Sequence, residues 1–412
     1  MKTLEHRAAE RVRDFVMEKA AATTAVGAAR PDPFWKGLRD VGTRLWLDTG
    51  DREAAEKLWT PEFSGLTTNN TLLNREIQKG IYDAIVREAS RLLEDMDTEQ
   101  RVIETAFILN ALHGQRLVRT FGASVSVELH TATANDAEAA VEYGRRFAAI
   151  DPTHFIVKVP LTAAGLIATR ALRQEGVPVN FTLAFGARQN HVAAAFAFPS
   201  YVNVFLGRLG QFVSENGLGD GVLVGERATM ASQREVAAIS SRTGRQTLQI
   251  AASFRDARQV QAVAGVDVMT IPVATATEAR ARLSGSWESC VQRTYPVQIA
   301  AGVDAAALRL SAAWDVSERE KELAASLEAR PPRSAEDLRA RAAGLGVRDL
   351  FPELSTEERA IIAREGKIPR YKTWAARIAS GELAVDSLLN VAGLESFTAD
   401  QAAMDARVRG LL

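Results

Sequence analysis

Residues 155–166 read FIVKVPLTAAGL, and the fold prediction begins from this stretch. Its first half is an apolar run rich in β-branched residues, as in a buried parallel strand. Its second half opens a helix, because Thr162 suits the N-cap position and Gly176 suits a left-handed helix end. The stretch therefore predicts one strand followed directly by one helix.

The same unit recurs on both sides of this stretch, between residues 44 and 273. The strand-like runs show little polar alternation, which is typical of parallel strands covered on both faces. Eight such units predict an α/β fold, a (β/α)8 TIM barrel, although an open doubly wound sheet has the same local pattern. The runs are RLWLDT, SGLTTNN, ASVSVEL, FIVKVP, PVNFTLAF, YVNVFLGR, QTLQIAASF and DVMTIPVA.

The segments between the runs read as amphipathic helices. In the segment after the second run, apolar residues recur at helical spacing and predict one buried face. That stripe consists of Ile77, Ile81, Ala84, Ile85, Ala89 and Leu92.

The strand pattern ends near residue 284, and the chain becomes rich in Ala, Arg, Leu and Glu. Ser317 with Glu320, and Ser355 with Glu358, have the spacing of capping boxes that begin helices. We therefore predict a barrel with N-terminal helices over residues 1–283 and a helical C-terminal extension over residues 284–412.

Composition limits the classes of function. The 412 residues are 47% hydrophobic and 25% charged, which indicates a globular protein, and the net charge of −1 provides no field for nucleic acid or an anionic membrane. Cys290 is the single cysteine, so no internal disulfide forms. The N-terminus lacks the apolar core of a secretory signal, and no apolar run is long enough to span a membrane. We expect a cytoplasmic protein.

Lys158 is unusual because it lies within the apolar run of residues 155–160. An ammonium loses hydration there, so burial should favour the neutral amine, which is a nucleophile. The alternative is a strand-end lysine whose ammonium reaches solvent.

Other predicted strands end in polar residues, and in a barrel these ends converge over the filled core, where active sites lie. Taken singly, Asp48 and Asn69 could instead cap helices, and Thr182 could be an ordinary strand threonine. The polar strand-end residues are Asp48, Thr67, Thr68, Asn69, Glu128, Asn180 and Thr182.

Two later strands are followed by arginines, Arg208 and Arg255, and Ser253 stands beside the second. A guanidinium presents a planar fork of donors, and late-strand loops of such barrels often bind phosphate. The alternative is that both arginines pair with acidic residues at the surface.

No metal or nucleotide cofactor is predicted. The histidines lack metal-ligand spacing, and no glycine-rich phosphate loop occurs. The histidines are His6, His113, His130, His154 and His191.

In order along the chain, WLDT, GLTTN, VSVE, VKVPLTAAGL, VNFTLAF, FLGR and AASFR resemble the transaldolase family, which belongs to the class I, Schiff-base-forming aldolases. The resemblance covers residues 41–273. It implies that Lys158 forms the Schiff base, that Asp48 is the acid/base group, and that Glu128 and Thr182 hold a catalytic water.

The resemblance also implies a set of substrate-binding residues. Among them, Phe205 stands where transaldolases carry an apolar aromatic residue and related fructose 6-phosphate aldolases carry a tyrosine. Asn70 and Asn203 depart from the family, which has proline and serine there, so a different sugar is one consequence. The substrate-binding set is Asn69, Asn180, Asn203, Phe205, Arg208, Ser253 and Arg255.

The resemblance thus implies a cofactor-independent transferase of the pentose phosphate type. It would move a dihydroxyacetone unit from sedoheptulose 7-phosphate or fructose 6-phosphate to an aldose phosphate. The alternatives are a transaldolase-like enzyme for an unusual sugar phosphate, a fructose 6-phosphate aldolase, or a silent barrel used for binding. Sugar phosphates are the expected partners, and a homodimer is an open alternative to a monomer.

Overall fold

The computed structural model describes residues 6–27 and 29–412. Within them, eight parallel strands close into a barrel, because β8 pairs with β1 as well as with β7. This closure confirms the TIM barrel and rules out the open sheet. The strands are β1 Arg44–Asp48, β2 Phe63–Thr67, β3 Ser124–Glu128, β4 Phe155–Pro160, β5 Val179–Thr182, β6 Tyr201–Phe205, β7 Leu248–Ala252 and β8 Val268–Pro272.

Helices follow the strands and cover the outside of the barrel. Two helices precede β1, and the barrel helices end with the one after β8. They are α1 His6–Ala20, α2 Pro33–Asp40, α3 Arg52–Glu56, α4 Asn70–Gln78, α5 Asp83–Leu92, α6 Thr98–Phe121, α7 Ala137–Ile150, α8 Ala163–Gln174, α9 Ala187–Phe196, α10 Leu206–Glu215, α11 Val224–Thr243, α12 Ala257–Ala262 and α13 Val273–Arg282.

The unit at residues 155–176 forms as predicted. All six residues of β4 are buried. The Thr162 hydroxyl accepts a hydrogen bond from the N–H of Gly165 at 2.8 Å, which fixes the start of α8. Gly176 has φ +84°, a left-handed conformation that costs glycine little.

The apolar stripe at residues 77–92 predicts a single helix, and this prediction is wrong. The segment forms two helices, α4 and α5, separated at Gly80, whose φ is +80°. Ile81 lies in this break and is 54% exposed, and Ala84 is exposed as well, so neither belongs to the buried face. Gly80 turns the chain between two short helices, and apolar spacing alone does not register such a turn.

The C-terminal extension is helical, as predicted. Ser355 and Glu358 form their capping box, with backbone-to-side-chain distances of 2.8 and 3.2 Å, and Ser317 with Glu320 forms the other. The helices are α14 Ala305–Leu308, α15 Glu318–Ala329, α16 Ala335–Gly344, α17 Thr356–Glu365, α18 Tyr371–Ala379 and α19 Val385–Arg409; 3-10 turns span Thr131–Thr133, Leu310–Ala313 and Arg348–Leu350.

A buried ionic cluster attaches the extension to the barrel. Arg188 of α9 donates to Asp386 at the start of α19 at 2.8 Å and to Asp349 at 3.0 Å, and Glu320 of α15 lies 3.4 Å away. Burial alone would lower the pKa of Arg188, but these carboxylates raise it above its ordinary value. Helices α15 and α19 and the Arg348–Leu350 turn of the extension are thus joined to α9 of the barrel through one buried arginine.

None of the described helices is long and apolar enough to cross a membrane. The first five residues, which belong to the N-terminal stretch interpreted above, lie outside the described part of the chain.

Candidate active site

A cavity of about 400 Å³ opens at the carboxyl ends of the barrel strands. Nine of the eleven predicted site residues line it; Glu128 and Thr182 do not. The nine are Asp48, Asn69, Lys158, Asn180, Asn203, Phe205, Arg208, Ser253 and Arg255.

Lys158 lies at the floor of the cavity and is only 4% exposed, so its ammonium does not reach bulk solvent. The pairing of neighbouring strands places Glu128 and Asn180 beside it at the same level of the barrel. Its Nζ donates to the carbonyl of Thr68 at 3.0 Å and lies 3.9 Å from Oε2 of Glu128. The amine is therefore buried next to a carboxylate and faces a cavity.

Asp48, at the end of β1, shares this floor. It accepts a hydrogen bond from the hydroxyl of Thr67 at 2.8 Å, and that hydroxyl also contacts Thr270 at 2.6 Å. Burial raises the pKa of Asp48, against the opposing effects of Lys158 and Thr67. The cap of α3 is Asp51. Asp48 is therefore held as a cavity-facing carboxyl and does not cap that helix.

Glu128, at the end of β3, lies beside Lys158 and is 3% exposed. Its Oε2 accepts a hydrogen bond from the backbone N–H of Asn70 at 3.2 Å. Burial raises the pKa of Glu128, while Lys158 and the Asn70 amide act in the opposite direction. The buried hydroxyl of Thr182 has no hydrogen-bond partner among the described residues.

Three polar side chains form a chain of hydrogen bonds along the wall. Asn203 Nδ2 donates to Asn180 Oδ1 at 3.1 Å, and Asn180 Nδ2 donates to Ser126 Oγ at 3.1 Å. The side-chain oxygen of Asn203 is buried and has no partner in the described part of the chain. This oxygen is a free hydrogen-bond acceptor, and it belongs to a residue that lines the cavity. Asn69 also lines the cavity, and its Oδ1 caps α4 by accepting a hydrogen bond from Leu72 N–H at 2.9 Å. The capping interpretation of Asn69 is therefore confirmed, and its contact with substrate stays a prediction.

Arg208 and Arg255 also line the cavity. Arg208 is 7% exposed, and its Nη1 has no hydrogen-bond partner among the described residues. Burial and the neighbouring Arg255 lower the pKa of Arg208 to about 10, despite the carboxylates of Asp48 and Glu128. A buried guanidinium without a hydrogen-bonded anion is a site that an anion can occupy.

Arg255 and Ser253 are brought together by the chain after β7. Arg255 Nη1 donates to Oγ of Ser253 at 3.1 Å, and Ser253 has φ +67°. Gly207 permits this approach, since a Cβ there would lie 2.1 Å from the carbonyl oxygen of Ser253. Arg255 also donates to Gln211, so its hydrogen bonds go to neutral groups, contrary to the alternative of an acidic partner.

Several residues of the cavity were not identified from the sequence, among them Arg75, Lys367 and Phe397. Arg75 is in the last turn of α4, whereas the other two belong to the C-terminal extension. None follows a barrel strand, so strand-end reasoning could not find them. The only local sign for Lys367 was its position in KIPR, a break between predicted helices.

Among the described residues, no group of three or more His, Cys, Asp or Glu side chains could hold a metal ion. The side chain of His6 lies outside the described part of the chain.

Comparison with known proteins is consistent with this geometry. The model of the transaldolase/fructose-6-phosphate aldolase family matches residues 45–324, which include all eight strands of the barrel except the first residue of β1. The chain belongs to this family.

Individual members of the family give the same result. A probable transaldolase of Thermus thermophilus is 36% identical over 232 residues, which cover 55% of this chain and 86% of the relative. A transaldolase of Xanthomonas campestris pv. campestris is 30% identical over 243 residues, covering 57% and 74%. A transaldolase of Nostoc punctiforme is 28% identical over 245 residues, covering 57% and 72%.

Proposed function

We propose that this transaldolase family member is a transferase that moves a dihydroxyacetone unit between sugar phosphates through a Schiff base on Lys158. One observation carries the proposal: the Lys158 amine is buried at the floor of a cavity, 3.9 Å from the Glu128 carboxylate, with the Asp48 carboxyl lining the same cavity. A buried amine beside proton-transfer groups is the arrangement that nucleophilic attack on a ketone requires. The three relatives described above are named transaldolase or probable transaldolase, which supports the proposal.

In the first half-reaction the Lys158 amine attacks the ketone carbon of the donor and forms a carbinolamine. This intermediate loses its hydroxyl as water and becomes an iminium, with Glu128 and the Thr182 hydroxyl exchanging the protons through a bound water. The iminium then accepts the electron pair of the breaking C–C bond while Asp48 takes the proton of the adjacent hydroxyl. An aldose phosphate leaves, and a three-carbon enamine remains on Lys158.

In the second half-reaction the enamine carbon attacks the aldehyde of the acceptor, and Asp48 returns its proton to the new hydroxyl. Hydrolysis of the iminium then releases the product ketose and restores the amine. Both carboxyls have raised pKa values because they are buried, which brings proton exchange closer to neutral pH.

The remaining wall residues fit a phosphorylated ketose. Asn69, Asn180 and Asn203 would orient its hydroxyl groups, and the free Asn203 oxygen could accept from one of them. Arg208, Arg255 and Ser253 would bind its phosphate, for which the unpaired guanidinium nitrogen of Arg208 provides a donor.

The proposal is tested by mass spectrometry after incubation with fructose 6-phosphate and borohydride, which reduces the iminium to a stable amine. We expect a three-carbon adduct on Lys158 in the wild type and none in Lys158→Met, which keeps most of the side-chain volume. Lys321→Met is the control, since that lysine is paired with Glu318 and does not line the cavity. No adduct in the wild type with any ketose phosphate would refute the proposal.

A second candidate function is aldol cleavage, in which the enzyme releases dihydroxyacetone. Phe205 is the residue that distinguishes this function from transfer. This ring lines the cavity and packs edge-on against Phe185, with ring centres 5.5 Å apart. A phenyl ring can neither hold nor deliver a proton for enamine hydrolysis, so it favours transfer. We expect Phe205→Tyr to raise dihydroxyacetone release measured without an acceptor aldehyde. If the wild type already releases it at the rate of transfer, aldol cleavage is the correct function.

We further propose that residues 1–283 and 284–412 are the two parts of the protein and that it acts in the cytoplasm without a cofactor. The homodimer stays a prediction.

A further inference from the structure

The cavity carries more positive charge than the proposed phosphate-binding residues Arg208 and Arg255 supply. Besides Arg208 and Arg255, it is lined by Arg75 of α4 and Lys367 of the C-terminal extension. The carboxylate of Asp400 raises the pKa of both Arg208 and Lys367, and its Oδ2 already accepts a hydrogen bond from Thr71. Four cations thus line one cavity.

Lys367 is held in place by its own segment. It lies between α17 and α18, in a turn tied to the barrel by Asn216, whose Nδ2 donates to Pro369 O at 3.1 Å and whose Oδ1 accepts from Tyr371 N–H at 2.8 Å. Asn216 ends α10, the helix that carries Arg208. The segment that carries Lys367 is therefore fixed to the same helix that carries Arg208.

The same turn is braced from within the extension. Glu365 accepts hydrogen bonds from the N–H of Arg370 at 3.1 Å and from the indole of Trp374 at 2.9 Å, and Trp374 is 3% exposed. Glu365, the carboxylate nearest Lys367 in sequence, thereby holds the start of the next helix, α18. It does not neutralise the ammonium at the cavity.

Electrostatics shows that these cations repel one another when no anion is bound. Lys367 is partly exposed, and its partial burial lowers its pKa; Arg208, Arg75 and Arg255 lower it further, while Asp400 acts in the opposite direction. A bound dianion would convert this repulsion into attraction for all four groups.

We propose that Lys367 is a specificity-determining residue through which the C-terminal extension binds the phosphate of the sugar substrate, together with Arg75, Arg208 and Arg255. This inference rests on the proposed function, because it names the substrate group that these cavity residues select. It also gives the extension a role in substrate binding. As a phosphate-binding residue, Lys367 would affect substrate affinity more than the chemical steps.

The first test is a calorimetric titration with inorganic phosphate, which needs no reaction. We expect Lys367→Met to weaken phosphate binding by about tenfold, the size of one charge-assisted contact, and Lys367→Arg to restore most of it. Lys372→Met is the matched control, since Lys372 is exposed on α18 and does not line the cavity. The binding constant of the wild type should also fall more steeply with salt than that of Lys367→Met.

The second test compares fructose 6-phosphate with fructose as donors. In Lys367→Met the preference for the phosphorylated donor should fall by about tenfold, and the loss should appear in KM more than in kcat. Phosphate affinity in Lys367→Met within about twofold of the wild type, or no phosphate binding by the wild type, would overturn the inference. Lys367-dependent phosphate binding without any borohydride adduct would instead refute the transfer function and leave the inference standing.

Discussion

The backbone N–H of Asn70 donates a hydrogen bond to Oε2 of Glu128 at 3.2 Å. Asn70 is the first residue of α4, a position where proline is favourable because its N–H is not needed by the helix. Here the N–H has a partner, and that partner is a carboxylate proposed to act in proton transfer. The donor stabilises the charged form of Glu128 and opposes the rise in its pKa that burial causes.

We therefore predict that Asn70→Pro raises the pKa of Glu128 further. Proline lacks this N–H and suits this position, because Asn69 before it is already extended, with φ −159° and ψ 171°. In the pH dependence of Schiff-base trapping, the limb that Glu128→Gln abolishes should move to higher pH in Asn70→Pro. Asn70→Ala keeps the N–H and is the control; an equal displacement in both variants would contradict the prediction.

The ionic cluster around Arg188 predicts a large effect on stability. The guanidinium is buried and contacts Asp386 and Asp349, so replacing it leaves carboxylates without a counter-charge. We expect Arg188→Met to reduce the free energy of unfolding by about 3–5 kcal/mol in denaturant titrations.

The matched control is Arg245→Met, which breaks an ion pair with Glu328 at 3.4 Å whose side chains are 47% and 41% exposed. It should cost less than about 1 kcal/mol, because water screens such pairs. Comparable losses in the two variants would show that the buried cluster does not fix the extension.

The barrel was predictable because its signals are local. Each strand run, such as that of residues 155–160, and each cap, such as Thr162, depends on neighbours a few residues away. The closure of the barrel depends instead on β1 pairing with β8, where Arg44 lies opposite Val268. Periodicity carries no information about such a distant pair, so the open sheet stayed an alternative until the structure was known.

The site was predictable to the extent that it follows the strands. Asp48, Glu128 and Lys158 come together because parallel strands end at the same face of a barrel. Lys367 reaches that face from a helical segment with no fixed relation to the strands. The N–H of Asn70 was also missed, because the identity of a side chain does not reveal what the backbone donates to.

Removal of residues 331–412 should unfold the protein and not merely open the active site. The deleted part contains α19, whose buried residues include Leu388, Leu389 and Phe397, and it removes two of the carboxylates around Arg188. Burial of several large side chains stabilises a fold by roughly 1.5–3 kcal/mol each. We expect transfer activity and Schiff-base formation to be lost together, with the loss of cooperative unfolding seen by circular dichroism. A folded truncated protein that still forms the adduct but transfers poorly would show that the extension acts only as a lid.

The last prediction concerns Asn203, because its side chain has a proposed substrate contact and also a hydrogen bond that holds Asn180 in the cavity wall. Its Nδ2 donates to Oδ1 of Asn180 at 3.1 Å, while its own Oδ1 is buried, unpartnered among the described residues, and belongs to a residue that lines the cavity. Asn203→Leu keeps the approximate size but leaves the Asn180 oxygen without its donor and removes the acceptor proposed for a substrate hydroxyl.

Each lost contact to a buried polar group costs about 1–3 kcal/mol, so kcat/KM for fructose 6-phosphate should fall by at least about tenfold. Asn203→Asp separates the two effects, since it keeps an acceptor but cannot donate to Asn180 when ionised. If the contact of the Asn203 oxygen with substrate matters more, Asn203→Asp should retain more activity than Asn203→Leu. If the hydrogen bond to Asn180 matters more, both variants should lose activity alike. A kcat/KM for Asn203→Leu within about twofold of the wild type would mean that the Asn203 oxygen does not contact the donor sugar.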